Sequence, residues 1–240
     1  MATHKVKLTK REEIAVGTMA FYFEKPAGFQ FKAGQFLEVT LIDPPETDAE
    51  GNSRTFSIAS APFEPDLMVA TRMRDTAFKR VLKALPIGTE VSMEGPYGTF
   101  ILHNDATSPA GFLMGGIGIT PVRSILLDAT QRKLSHRLFL FYSNRRPEDA
   151  AFLEDLQQLE KENPNYRFIG IMTGIEKSRQ VWSGETEHIN REMLAKYVGD
   201  LTVPIFYIAG PPAMVKAMKA TLNNAGVTND KIRAEEFAGY

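Results

Sequence analysis

The 240 residues contain no cysteine, and that single absence removes several chemistries at once. Thiolate nucleophiles, dithiol redox centres and Cys-ligated iron–sulfur clusters cannot be built from this chain. Histidine is scarce as well: His4, His103, His136 and His188 are scattered without metal-ligand spacing, and each is expected at the surface or at a cap. Charge of one sign is also missing, since 28 basic residues face 29 acidic ones. The chain therefore has no general attraction for nucleic acid or anionic membrane. No apolar run reaches the roughly 18 residues that suggest a membrane span, and the first residues, MATHKVKLTKREE, lack the apolar core of a signal peptide. A cytoplasmic protein with no nucleic-acid partner and no membrane span is expected. Neither a G-x-S-x-G elbow nor a Gly-Lys-Ser/Thr loop occurs, which speaks against a serine hydrolase of that type and a P-loop NTPase.

What is present falls into two rhythms. Short runs rich in Val, Phe, Thr and Ile occupy 18–26, 34–42, 54–60, 67–73 and 89–96, punctuated by Gly, Pro or Asp. One helix interrupts them: Phe78, Val81, Leu82 and Leu85 are spaced i, i+3, i+4, i+7, behind a capping Asp75-Thr76 and ahead of Pro86 and Gly88. This pattern predicts an antiparallel β-barrel of Greek-key type with one helix as a lid. The acidic, Pro-rich loop 43–53 is expected to be exposed. From about Pro109, apolar strands alternate with amphipathic helices, the pattern of a doubly wound parallel sheet covered on both faces. The polar stretch 103–109 reads as the linker, giving a barrel domain at 1–104 and an α/β domain at 105–240.

Three stretches are suited to anions. GGIGITP (115–121) joins a buried strand to a helix opening with Pro121; Gly116 and Gly118 permit close backbone approach, and the helix start offers free N–H groups. AGPP (209–212) repeats the design at the fourth strand of that half, and two such turns on one parallel sheet edge frame a ligand crevice. The helix starting at Thr76 adds Lys79 and Arg80 to its N–H groups, with Arg54 and Arg72 able to converge on the same anion. In RTFSIAS (54–60), strand alternation sends Arg54 and Phe56 one way and Thr55 and Ser57 the other. Each stretch alone is ordinary turn or strand chemistry. Their order along the chain is what carries weight.

Taken together they resemble the ferredoxin–NADP⁺ reductase superfamily, over nearly the whole chain. RTFS is similar to its Arg-x-Tyr-Ser/Thr flavin motif, GPYGTF (95–100) to the motif ending its barrel, and GGIGITP to its Gly-Gly-x-Gly-x-Thr-Pro. YSNRRPED, YIAGPPAMV and EEF resemble its second-strand loop, its Cys-Gly-Pro turn and its C-terminal Glu-x-aromatic. The resemblance implies a stand-alone two-domain form without an iron–sulfur domain: an FAD-binding barrel followed by an NAD(P)-binding domain. Hydride would pass from NADPH or NADH to the flavin, and electrons would go on to a separate acceptor, a ferredoxin, flavodoxin, oxygenase component or small molecule. It implies flavin contacts at Arg54, Thr55, Phe56, Ser57, Ala70, Thr71, Arg72, Thr76, Ala77, Phe78 and Lys79. The dinucleotide would meet Gly116, Gly118, Thr120, Pro121, Asn144, Arg145, Gly210 and Pro211. Ser57, Glu235 and Phe237 would serve the catalytic end, with Phe237 or Tyr240 covering the flavin.

The departures are specific. Phe56 stands for the usual Tyr, Lys79 for a common Ser, and Ala209 for a common Cys, so nicotinamide positioning has no thiol to use. Arg145 and Arg146, with Ser178-Arg179 as a second candidate, incline the reading to NADPH over NADH. The alternative from another class is a non-catalytic flavin-binding or docking subunit, which would not need intact GGIGITP and AGPP. A nucleotide-binding domain without flavin leaves Arg54, Arg72 and Lys79 unexplained.

Overall fold

A computed structural model describes residues 3–237 of the chain. Its first sheet comprises β1 (Thr3–Ala15), β2 (Thr18–Glu24), β3 (Phe36–Leu41), β4 (Ser53–Ser57), β5 (Asp66–Arg72) and β6 (Glu90–Tyr97), in the order β4-β3-β6-β1-β2-β5 and antiparallel throughout. The open sides of β4 and β5 meet just past β4, where the Ala59 N–H donates to the Met68 carbonyl at 2.8 Å. The Met68 N–H in turn donates to Ser60 Oγ at 2.9 Å. A barrel results. Its core is closed by Phe78, Val81 and Leu82 of α1 (Ala77–Ala84).

β1 is the element that composition hides. Lys5, Lys7, Lys10, Arg11, Glu12 and Glu13 make it look like a solvated tail, yet it pairs with both β2 and β6. Val6 and Leu8 alternate inward between the lysines and are buried, and that period of two was the legible signal.

The second sheet is parallel, in the order β11-β10-β7-β8-β9. Its strands are β7 (Ala110–Gly115), β8 (Leu138–Asn144), β9 (Tyr166–Met172), β10 (Ile205–Gly210) and β11 (Ile232–Glu236), and its helices are α2 (Thr120–Gln131), α3 (Leu153–Glu162), α4 (Arg191–Val198) and α5 (Pro212–Asn224). Alternate residues feed two cores. Phe112, Met114, Leu138, Leu140 and Tyr142 face α2 and α3, while Leu113, Phe139 and Phe141 face α4 and α5. The first of these cores also takes in Ala20, Ala33, Ala59, Met68 and Ala70 of the barrel, so barrel and α/β sheet share one apolar interior. Strand order reverses direction at β7, between β8 and β10, which is where open α/β sheets form a crevice.

The histidines correct the expectation of surface positions. His103 and His136 are buried. His103 Nε2 faces the Ser108 carbonyl at 2.8 Å and therefore donates to it; its Nδ1 lies 3.0 Å from the Tyr207 hydroxyl, which donates to the Ile101 carbonyl at 3.1 Å. His136 Nε2 donates to the His103 carbonyl at 2.9 Å. The segment read as a polar linker is thus pinned from within at His103, whose polarity serves buried hydrogen bonds rather than solvation.

Candidate functional site

Two anion-seeking assemblies lie where the strands end. The first is built on β4 and α1. Thr76 caps α1, its hydroxyl accepting from the Lys79 N–H, which leaves the Ala77 N–H facing outward. Phe78 lies under the strand: the Arg54 guanidinium sits 5.2 Å from its ring centroid, and the Phe56 ring lies 5.9 Å away, tilted by 34°. Arg54 and Phe56 do share a face, as the alternation requires, and Ser57 is buried while Thr55 is exposed.

An acidic side chain already occupies this anion site. Asp48 pairs with Arg54 at 3.1 Å and accepts from the Ala77 N–H at 3.2 Å, and Glu50 pairs with Arg54 at 3.0 Å. Burial works against the Asp48 charge, but hydrogen bonds from the Glu50 N–H, Arg54 and the Ala77 N–H outweigh it and hold the carboxyl below its usual range. A carboxylate bridging a guanidinium and a helix-start N–H is a built-in stand-in for a phosphate oxygen. Lys79 lies beside it and donates to the Arg72 carbonyl at 2.7 Å. Burial, then the charges of Arg74 and Arg54, push its ammonium pKa down. A further anion would relieve that crowding.

The second assembly is a cleft of about 930 Å³ on the carboxyl edge of the parallel sheet. Gly115, Gly116 and Pro211 line it from two turns that nearly touch: a Cβ on Gly210, whose φ is +156°, would lie 3.1 Å from the backbone of Gly115. Ala213, Met214, Ala217 and Met218 of α5 supply an apolar wall. Arg72, expected at the flavin, instead lines this cleft with Arg74 at the end of β5, from the barrel side, and Arg145 reaches it from the end of β8. None of these three guanidinium groups has a hydrogen-bond or ion-pair partner among the described residues. Asn144 lines the same cleft, is 92% buried on the basis of its 8% exposure, and has no partner for its Nδ2. A buried amide donor left unpaired beside three guanidinium groups, two of which act on the Asp149 carboxylate of the same cleft without pairing to it, fits a ligand rich in phosphate and carbonyl oxygens.

The structure separates the sequence-derived candidates by what their side chains reach. Ala70 and Thr71 are buried on β5, and Ala77 and Phe78 are buried at the start of α1, so Phe78 has only backbone to offer a ligand. Gly118 turns away from the cleft: a Cβ there would meet the Ala209 carbonyl oxygen at 2.4 Å, so its glycine serves packing against β10. Thr120 folds back onto the Ile117 carbonyl at 3.0 Å, and Pro121 is buried in α2. Arg146 is held by Asp149 at 2.7 and 2.8 Å and Ser178 by Glu148 at 2.7 Å, which leaves Arg145 as the uncommitted cation of that loop.

β11 carries the C-terminal candidates. Glu235 stands in register with Ala209, and burial pushes its carboxyl up to about 7. The Phe237 N–H donates to the Gly210 carbonyl at 3.0 Å, and its ring packs on the core shared with the barrel. Tyr240 lies outside the described residues.

Several lining residues were not singled out in advance: Arg74, Ser143, Thr173, His188, Met214 and Met218. Arg74 had a signal, since it follows Arg72 by two at the end of a strand. Met214 had one in the first turn after Gly-Pro-Pro. His188 and Thr173 meet only through the loop after β9, which no local pattern foretells. Among the described residues there is no cluster suited to a metal ion, and no helix is long and apolar enough to cross a membrane.

Residues 112–220 match the family model of the oxidoreductase NAD-binding domain. The glycine betaine monooxygenase reductase subunit of Chromohalobacter salexigens is 28% identical over 239 residues, covering 98% of this chain and 64% of that protein. The phenol hydroxylase P5 protein of Acinetobacter pittii is 28% identical over 211 residues, covering 87% and 58%. The chain thus spans less than two thirds of the length of these relatives. Among solved structures, a ferredoxin NADP⁺ reductase from Neisseria gonorrhoeae with bound FAD and NADP matches with a TM-score of 0.79 at 21% identity, covering 98% of each chain. The cytochrome b5 reductase domain of Ulva prolifera nitrate reductase matches at 0.80 and 17% identity, covering 98% of this chain and 97% of that one. These likenesses place the fold: an antiparallel barrel joined to a parallel α/β sheet.

Proposed function

We propose that the chain is a flavin-dependent NAD(P)H reductase that delivers electrons to a separate acceptor, a reading supported by the match of residues 112–220 to the oxidoreductase NAD-binding domain and by a fold shared with a ferredoxin NADP⁺ reductase. One observation carries this reading: two glycine turns of the parallel sheet and two arginines of the barrel line a single cleft. When bound, FAD supplies a hydride acceptor that can pass electrons on singly, and the nicotinamide supplies the hydride.

The chain's own residues do the binding and aligning. Arg54, Lys79 and the Ala77 N–H hold the flavin diphosphate in the place the Asp48 carboxylate takes up. Phe56, backed by Phe78, is the ring platform on the strand. Ser57, on the opposite face, sits where β4 turns toward the shared core and places a hydroxyl at the edge of the flavin ring. Gly115, Gly116 and Gly210 let the backbone come close to the dinucleotide pyrophosphate, Arg72 and Arg74 neutralise it, and the Asn144 amide donates to it. Arg145 meets a 2′-phosphate, which favours NADPH. Glu235 holds a proton at its carboxyl near neutral pH, and Phe237 closes the apolar side of the nicotinamide position.

The relatives named as reductase components of monooxygenases and dioxygenases support an oxygenase component as the acceptor. With the barrel site at 1–104 and the dinucleotide site at 105–240, each ring is bound by its own domain and the interface between them sets their distance.

The purified protein, given FAD, is expected to turn yellow and to bleach at about 450 nm when NADPH or NADH is added without oxygen. A protein that takes up no flavin sinks the reading. One that binds flavin which neither nucleotide bleaches would be a binding subunit instead.

A further inference from the structure

The stretch RTFSIAS does not end at its ring-binding face. Two residues beyond Ser57, the Ala59 carbonyl accepts from Arg123 Nη1 at 2.9 Å, and the Ser60 carbonyl accepts from Ser124 Oγ at 2.7 Å. Arg123 also grips Glu64 of the same barrel segment with both terminal nitrogens, at 2.9 and 3.2 Å. Its guanidinium lies 5.0 Å from the Phe152 ring centroid, and its Nε is buried without a partner. Arg123 and Ser124 stand two and three residues beyond Pro121 in α2, the helix that carries the Gly116–Ile119 turn. The two segments assigned to the two rings are therefore tied to each other within a few residues of both.

We propose that Arg123 and Ser124 are positioning residues that set the distance and angle between the flavin and nicotinamide rings, a role that rests on the reductase function proposed above. Around this pair the contact is apolar: Ala59, Met68 and Ala70 meet Ile119, Val122 and Ile125, which favours contact without favouring one direction. The other polar ties between barrel and α/β sheet, Val16 N–H to the Glu148 carbonyl at 2.8 Å and Arg233 to the Ile101 carbonyl at 2.7 Å, lie away from the RTFSIAS stretch. A planar guanidinium forked onto a carboxylate, together with a carbonyl of the same β4–β5 connection, allows one geometry. Buried ion pairs contribute little net stability compared with apolar packing, so directional control is what this pair adds. Glu64 is itself held by the Ala61 N–H, so the fork closes on a fixed partner rather than on a swinging side chain.

The absence of cysteine makes the test clean. Lys83→Cys on α1 and Glu162→Cys on α3, both exposed, place one spin label on each domain. Pulsed electron paramagnetic resonance then reads the interdomain distance distribution with or without flavin. Arg123→Lys keeps the charge and loses the fork; Glu64→Gln breaks the pair from its more exposed side and serves if the arginine variant fails to fold. Both are expected to broaden the distribution while flavin retention stays as in the parent. In the flavin-loaded protein they are expected to weaken the long-wavelength nicotinamide–flavin charge-transfer absorbance and to slow single-turnover hydride transfer by about tenfold or more. An unchanged distribution overturns the proposal. So does a broadened one with parental absorbance and rate. If the parent protein takes up no flavin, the reductase reading falls, and the spin-label distances still decide whether the clamp fixes the domains.

Discussion

Asp48 and Arg54 form an ion pair at 3.1 Å in which the carboxylate also accepts from the first free N–H of α1. The loop carrying Asp48 is largely exposed, and on the proposed reading its carboxylate stands where a flavin diphosphate oxygen would sit. Asp48→Asn, which removes the competing charge, is therefore expected to tighten FAD binding modestly. Fluorescence titration of the flavin-free protein measures this. Weaker binding in the variant would mean that Asp48 orders the site instead of occupying it.

Arg54→Ala acts in the opposite direction. A hydrogen-bonded charge contact is worth about 1.5–3 kcal/mol, so FAD affinity is expected to fall by roughly ten- to a hundredfold. The Phe78 core beneath is left intact, and the thermal midpoint of the flavin-free protein should move little. Unchanged affinity removes Arg54 from the phosphate site.

The two loop arginines should separate cleanly. Arg145 has no committed partner, whereas Arg146 is forked onto Asp149. Arg145→Ala is expected to raise KM for NADPH by roughly tenfold, the loss of one charge-assisted contact, while leaving NADH unaffected. Arg146→Ala is expected to lower thermal stability and to treat both nucleotides alike. Equal loss with NADPH and NADH in Arg145→Ala would place that side chain away from the 2′ position.

How much of this was legible beforehand depends on the range of the interaction concerned. The α1 helix, the strand at RTFS and the alternation of the parallel half follow from local periodicity, and the structure has them where the pattern puts them. β1 escaped because its polar face dominates its composition, although Val6 and Leu8 carried the right period. The role of Gly118 escaped because only the position of β10, about ninety residues away, shows that its missing side chain makes room for a neighbouring backbone rather than a ligand. Arg123 on Glu64 is a long-range polar pair, and Asp48 reaches Arg54 through the irregular loop that precedes β4. Nothing in their local sequence selects one acidic residue over another.

Gly118 gives a sharp structural check. A Cβ there would stand 2.4 Å from the Ala209 oxygen and 2.5 Å from its carbon, and backbone cannot rotate aside. Gly118→Ala is expected to cost about 1–3 kcal/mol, the range for overpacking, read as a lower midpoint in denaturant. Gly17→Ala is the control, since a Cβ there meets nothing within 4 Å and only its φ of +65° is strained. A Gly118 variant as stable as the parent would mean that the turn shifts freely, and with it the dinucleotide backbone contacts.

Glu235 sets the pH behaviour. Burial raises its carboxyl from 4.5 to about 7, so between those values the folded protein keeps a proton that the unfolded chain has released. Stability on this account is highest below the unfolded value and declines as pH rises through the window, the reverse of a salt-bridged carboxylate. Glu235→Gln is neutral throughout and should remove that part of the decline, seen as a smaller difference between denaturant midpoints at pH 5 and pH 8. The same substitution should erase an ionisation near neutrality from the pH profile of flavin reduction if the carboxyl, in register with Ala209 on the strand beside β10, exchanges its proton during the reaction. A variant that flattens the stability profile but leaves the rate profile untouched would assign Glu235 a buried carboxyl's cost without a proton's role in the reaction.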